Sequence, residues 1–182
     1  MPPQTQWEAY FDPPAILAAL GCAPGGDVIE FGCGYGTFTI AAARRVKETV
    51  YASDIDPSMV QATSARARDA KLENIVVEAQ DFVESGCARP DGSAGFVMLF
   101  NILHIESPVA LLQEAHRVLR AGGLAGVIHW KYDAGTPRGP PLEIRPTLEQ
   151  CRRWGEEAGL HWLASPELPG TPWHWGMMLQ RP

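Results

Sequence analysis

Three carboxylates stand where one ligand could meet them all. Glu30 lies in the apolar run Asp27-Val28-Ile29-Glu30-Phe31, Asp54 follows Thr49-Val50-Tyr51-Ala52, and Asp81 follows Ile75-Val76-Val77. The first run enters Gly32-Cys33-Gly34-Tyr35-Gly36, a loop of alternating glycines that opens a helix. Such a loop brings bare backbone against a ligand at the carboxyl edge of a sheet. An acid beside it suits a cation, such as an ammonium group, and argues against a pyrophosphate. The dinucleotide fingerprint is Gly-x-Gly-x-x-Gly, and Thr37 occupies the place of its third glycine. Asp54 lies 22 residues after Gly32, near the spacing at which an acid meets ribose hydroxyls. An adenine amino group is a further donor that a carboxylate accepts. Asp56, just before Pro57, is read as a helix cap; Asp81 has the alternative of capping a short turn.

These residues need a sheet to hold them. Pro13 to Leu20 reads as a helix, with Asp12 as its N-cap and Gly21 as its stop. Ala41 to Val46 carries a helical pattern, and Pro57 to Ala70 is helical in composition. Phe96 to Phe100 is a fourth strand, Pro108 to Leu119 a helix ended by Gly122-Gly123, and Leu124 to Trp130 a fifth strand. Continuously apolar strands alternating with helices predict a parallel sheet covered on both faces. Tyr132 to Pro146 holds four prolines and two glycines, which predicts a loop of a length that is often functional. Thr147 then caps a helix to about Ala158, and strands near Leu160–Ala164 and Trp173–Leu179 meet across Leu168-Pro169-Gly170. The expected fold is α/β, a doubly wound, mostly parallel seven-stranded sheet with its last strand antiparallel and helices on both faces. One domain over residues 1–182 is expected, with an N-terminal helical segment at 1–22 and the proline-rich loop at 132–146.

Composition narrows the partners. The 182 residues are 46% hydrophobic and 20% charged, enough for a core. A net charge of −6 is the wrong sign for a general nucleic-acid binder, whose affinity comes from neutralising phosphates. Cys22, Cys33, Cys87 and Cys151 stand apart, forming neither a zinc cluster nor a disulfide framework. The N-terminal residues lack the basic and apolar regions of a signal peptide, and no apolar run reaches the roughly 20 residues of a membrane span. A cytoplasmic protein without nucleic-acid or membrane partners is expected; its oligomeric state is left open.

From about Asp27 to Trp130 the sequence resembles the class I S-adenosylmethionine-dependent methyltransferases. The resemblance is carried by Glu30-Phe31-Gly32-Cys33-Gly34-Tyr35-Gly36, by Asp54-Ile55-Asp56-Pro57-Ser58-Met59, by Asp81-Phe82 and by His116-Arg117-Val118-Leu119-Arg120-Ala121-Gly122-Gly123. It implies S-adenosylmethionine as cofactor, S-adenosylhomocysteine as product, and no metal. Glu30 would then face the methionyl ammonium, and Gly32, Gly34 and Gly36 would let the cofactor lie on the backbone. Asp54 would take the ribose hydroxyls, Ile55 and Met59 would wall the adenine, and Asp81 would accept its amino group beside Phe82. Asn101 would lie near the methionyl end. Gly95 departs from the family, which usually opens strand four with Asp.

Candidates for the acceptor side follow from position. His104, past strand four, and His129, at the end of strand five, are candidate bases. Tyr10, Trp130 and Tyr132 are candidate walls, and Arg138 and Arg145 candidate partners of an anionic group. Trp7, Tyr10 and Phe11 either cover the cofactor or anchor the first helix. Within the family, acceptor choice rests on three segments, here Met1 to Phe11, Asn101 to Ser107 and Tyr132 to Pro146. All three are short, which predicts an open pocket or one completed by a partner chain. The sequence reading is methyl transfer to a small-molecule acceptor. Its alternatives are a non-catalytic S-adenosylmethionine-binding subunit and, further off, an NAD-dependent oxidoreductase.

Overall fold

A computed structural model describes residues 2–23 and 25–182; Met1, the first residue of the N-terminal acceptor segment, and Pro24 lie outside the described residues. Seven strands form one sheet: β1 (Asp27–Phe31), β2 (Val50–Asp54), β3 (Ile75–Ala79), β4 (Ala94–Phe100), β5 (Leu119–Trp130), β6 (His161–Ala164) and β7 (His174–Gln180). Their order is β3-β2-β1-β4-β5-β7-β6. The first five run parallel, and β7 pairs antiparallel with both β5 and β6. The chain order reverses beside β1, so the ends of β1 and β4 flank the crevice in which doubly wound sheets bind ligands.

The strand residues alternate between two cores. Phe96, Met98 and Phe100 of β4 pack with Ile16, Leu17 and Phe38, from α2 (Pro13–Ala19) and α3 (Thr37–Arg45). Val97 and Leu99 face the other way, onto Leu111, Leu112, Ala115 and Val118 of α6 (Pro108–Val118). The period of two that divides these residues also decides where a polar side chain in the same strand must go. Val28 shares the α3 face, and Ile29 and Phe31 the α6 face. Glu30, two residues from Val28, therefore projects toward α3.

Local capping ends the helices as read. Asp12 accepts from the Ala15 N–H at 3.2 Å, and Asp56 from the Ser58 N–H at 2.8 Å at the start of α4 (Pro57–Asp69). Thr147 and Gln150 form a reciprocal capping box on α7 (Leu148–Glu157).

Other boundaries differ from the sequence reading. α3 begins at Thr37, directly after Gly36. α6 ends at Val118, where Leu119 is already extended, so Gly122-Gly123 does not stop the helix. The glycine pair lies instead where β5 is out of register with β4, since Ala94 pairs with Leu119 but Phe96 with Leu124. Gly95 is the matching irregularity on β4. A Cβ there would come within 3.0 Å of the Gly25 carbonyl, so the turn before β1 leaves little room for the family's aspartate. Two short helices, α1 (Gln4–Glu8) and α5 (Phe82–Ser85), and a 3-10 turn at Leu142–Ile144 carry no apolar period to reveal them. Among the described residues, no helix is long and apolar enough to cross a membrane.

Thr147→Ala should cost about 1 kcal/mol of stability through loss of the α7 cap, read as a lower urea midpoint at unchanged m-value. An unchanged midpoint would contradict the capping role.

Candidate active site

β1 delivers Glu30 beneath the first turns of α3, where the Thr39 hydroxyl donates to its carboxylate. Only 3% of Glu30 is exposed. Burial removes water from the carboxylate and pushes its pKa up to about 8; the Thr39 bond opposes this, and the nearby charge of Asp54 adds to it. At neutral pH Glu30 is thus a protonated acid that a neighbouring cation would ionise.

The glycine loop turns over this acid. Gly32, Gly34 and Gly36 all have positive φ, and a Cβ on Gly36 would meet the Thr63 side chain at 2.9 Å. Asp54 pins the loop, accepting from the Gly34 N–H at 2.9 Å and from the Asp56 N–H at 3.0 Å. Thr63 donates to the Gly34 carbonyl at 2.8 Å from the other side. A cleft of about 180 Å³ opens over Glu30, Gly32, Gly34 and Asp54 and continues between Ile55, Phe82 and Asn101.

Asn101 occupies a left-handed backbone position, φ 55°, just past β4. Its Oδ1 and Nδ2 are buried without a hydrogen-bond partner among the described residues. A buried amide with both ends unmatched is costly, so a site is indicated where a ligand supplies the partners. The Thr37 hydroxyl, at the cleft wall in the first turn of α3, is unmatched in the same way.

Asn101 and Trp7 also line a second cavity of about 420 Å³, walled by Trp130, His104, Arg138 and Pro140. The two cavities meet at these shared residues. His104 Nδ1 lies 3.3 Å from His129 Nε2. His129 is fully buried, and desolvation, with lesser repulsion from His104 and Arg145, lowers its pKa to about 3. Burial lowers that of His104 as well.

A family model described as a methyltransferase domain matches residues 28–123, more than half of the chain. The chain belongs to the class I S-adenosylmethionine-dependent methyltransferases. The chain is 32% identical over 136 residues to an uncharacterized 37.1 kDa protein in transposon TN4556 of Streptomyces fradiae, covering 71% of this chain and 37% of that protein. It is 32% identical over 101 residues to the ribosomal protein L11 methyltransferase of Bacillus cereus, covering 56% and 31%. A crystal structure of a SAM dependent methyltransferase from Aquifex aeolicus shares the fold, with TM-score 0.86 and 24% identity over 98% of this chain and 94% of that one. The chain spans from 37% to 54% of the first curated relatives that it matches.

Of the sequence candidates, Glu30, Gly32, Gly34, Asp54, Ile55, Phe82 and Asn101 come together at one cleft. Gly36, Met59 and Asp81 stand outside its wall. Gly36 caps α3, and Met59 lies in the first turn of α4. Asp81 caps α5, accepting from the Val83 and Glu84 N–H groups through Oδ1. Trp130, Arg138 and His104 line the second cavity, with His129 behind His104. Tyr10 packs edge-on to Trp130 at 5.4 Å, outside that wall, and Tyr132 is exposed.

Arg145 is a correction. Its guanidinium is buried and donates to the carbonyls of Lys131, Asp133 and Pro140 and to the Thr136 hydroxyl, so it organises the proline-rich loop and has no free face for an acceptor. Trp7 both lines the cleft and packs on Phe11 at 4.9 Å, whereas Tyr10 and Phe11 stand outside the cleft wall. Thr37 and Phe100 of the cleft wall were not among the sequence candidates for cofactor contact; for Thr37 the signal was its place directly after the third glycine.

Because the folded-state pKa of Glu30 lies above its ordinary value of 4.5, its stabilising contribution is full below that value and is lost as pH rises through about 8. The Tm of the ligand-free protein should therefore fall more steeply over this range than that of Glu30→Gln, which keeps a neutral polar group there. Parallel Tm–pH curves would contradict the buried-acid assignment.

Proposed function

We propose that this chain transfers a methyl group from S-adenosylmethionine, held in the cleft, to a small acceptor in the adjoining cavity. The observation that carries the reading is the meeting of the two cavities at Asn101, whose buried amide lacks partners there. The residues fit the cofactor: a buried acid for the ammonium, bare loop backbone, Asp54 for the ribose, and apolar Ile55 and Phe82 for the base. The bound sulfonium supplies an already activated methyl group.

The chain's own residues then have two tasks. Glu30 gives up its proton and holds the ammonium, while Asn101 and Thr37 hydrogen-bond to the polar groups brought beside them. Trp7 and Trp130 exclude water and fix the acceptor in line, the condition on which displacement depends. His104 faces the acceptor as a base, with His129 behind it. Among the described residues, no group of three or more His, Cys, Asp or Glu is placed to hold a metal ion. The reaction proposed uses none. The net charge of −6 supports an acceptor other than a nucleic acid.

Calorimetric titration tests the cofactor. S-adenosylmethionine and S-adenosylhomocysteine should bind and NADH should not, and Asp54→Ala should weaken binding about ten-fold or more, the worth of a charged hydrogen bond. Binding of NADH alone would overturn the reading. Cofactor binding with no methyl passed to any acceptor would favour the non-catalytic binding subunit.

A further inference from the structure

The acceptor chamber has a chemistry of its own, and the inference from it rests on the cofactor reading above. We infer that the acceptor is a hydroxylated aromatic acid: its ring lies against Trp7 and Trp130, its anionic group meets Arg138, and its hydroxyl proton passes to Nε2 of His104.

The tautomers of the histidine pair carry the base assignment. His129 Nδ1 lies 3.5 Å from the Trp130 carbonyl, a long contact to a group that can only accept. Neutral His129 carries one ring proton, and its assignment to Nδ1 is the one that gives it this acceptor. Its Nε2 is then an acceptor, so the proton shared across the 3.3 Å contact belongs to His104 Nδ1. That leaves the lone pair of His104 on Nε2, on the far side of the ring from His129. His129 stacks on Trp175, with ring centroids 6.0 Å apart, and is buried too deeply to take up a second proton. It is a positioning residue that fixes the tautomer of His104.

The walls select the rest of the acceptor. Two indoles and Pro140 offer flat apolar surface, which favours an aromatic ring, and about 420 Å³ holds a ligand of one or two rings. The charged and titratable side chains of the chamber wall are His104 and Arg138, with His129 behind them from β5 and Arg145 in the same loop. Among the described residues, no carboxylate lines the wall to hold an ammonium acceptor. Among the described residues, the Arg138 guanidinium donates one hydrogen bond, to Gln6 Oε1 at 3.5 Å, which leaves most of its fork for an anion. Arg145 holds the Pro140 carbonyl and thereby sets that wall.

The step balances without another reagent. The acceptor oxygen bonds to the methyl carbon as the carbon–sulfur bond breaks and its electron pair stays on sulfur. The hydroxyl proton moves to His104 Nε2 and leaves to solvent after the product departs. Protonation of His104 from solvent blocks this, so kcat/KM should fall as pH drops below the ordinary histidine value of 6.5.

The test measures transfer of labelled methyl to 3- and 4-hydroxybenzoate, phenol and benzylamine, with S-adenosylhomocysteine affinity titrated separately. At least one hydroxybenzoate should be methylated, with kcat/KM about ten-fold or more above phenol. Arg138→Met should remove that preference by raising KM. His104→Gln should lower kcat about a hundred-fold and abolish the acid limb of the pH profile, and His129→Gln should displace that limb. S-adenosylhomocysteine affinity should survive all three substitutions. S-adenosylhomocysteine binding with benzylamine accepted, or with no hydroxybenzoate accepted, would overturn the acceptor class alone. An unaltered pH profile in His104→Gln would overturn the base. If the wild-type chain does not bind S-adenosylhomocysteine, the cofactor reading falls and this inference with it.

Discussion

A carboxyl group held out of water at the end of a central strand is the constraint around which this molecule is arranged. Alternation along β1 directs Glu30 to the α3 face, and α3 and the glycine loop close over it. An ionised acid is costly in such a place, and a proton lowers that cost only until a cation arrives. The site is thus a poor place for an anion and a strong one for an ammonium group. The same burial that raises the pKa of Glu30 makes its later charge selective.

The loop above Glu30 has to approach a ligand closely and still hold its shape. Its glycines permit the left-handed turns, but they supply no side chains for anchoring. Asp54 and Thr63 supply the anchors from outside, through bonds to the two ends of Gly34. Asp54 therefore has two functions, since its carboxylate ties the loop to β2 and lines the cleft. Past β4, Asn101 and Trp7 form the boundary between the cleft and the chamber. A methyl group at that boundary would lie between the two cavities.

How much of this was legible depends on the range of the interaction. The succession of strands and helices, the reversed β7 and the caps Asp12, Asp56 and Thr147 follow from period and from neighbours a few residues away, whereas the lateral order of the strands does not. The acids at the ends of β1 and β2 were legible for the same reason. Arg145 was not. Proline has no N–H and leaves loops with carbonyls in need of donors, but only the folded loop shows that Arg145 supplies them. The unmatched groups of Thr37 and Asn101 are facts about burial, which no spacing encodes. α1 buries no residue fully, so no apolar stripe announced that it would bring Trp7 to the boundary of both cavities. The His104–His129 pair joins the loop after β4 to the end of β5, and sequence could nominate both residues but not their contact.

The most direct test of the central claim is the number of protons released when S-adenosylmethionine binds, measured by calorimetry in buffers of different ionisation enthalpy. At about pH 6.5 an α-amino group is already charged, whereas Glu30, with its pKa near 8, is still protonated. Formation of the ammonium–carboxylate pair should then expel close to one proton per site. Binding that releases no proton would mean that Glu30 does not ionise against the cofactor, and would contradict the account.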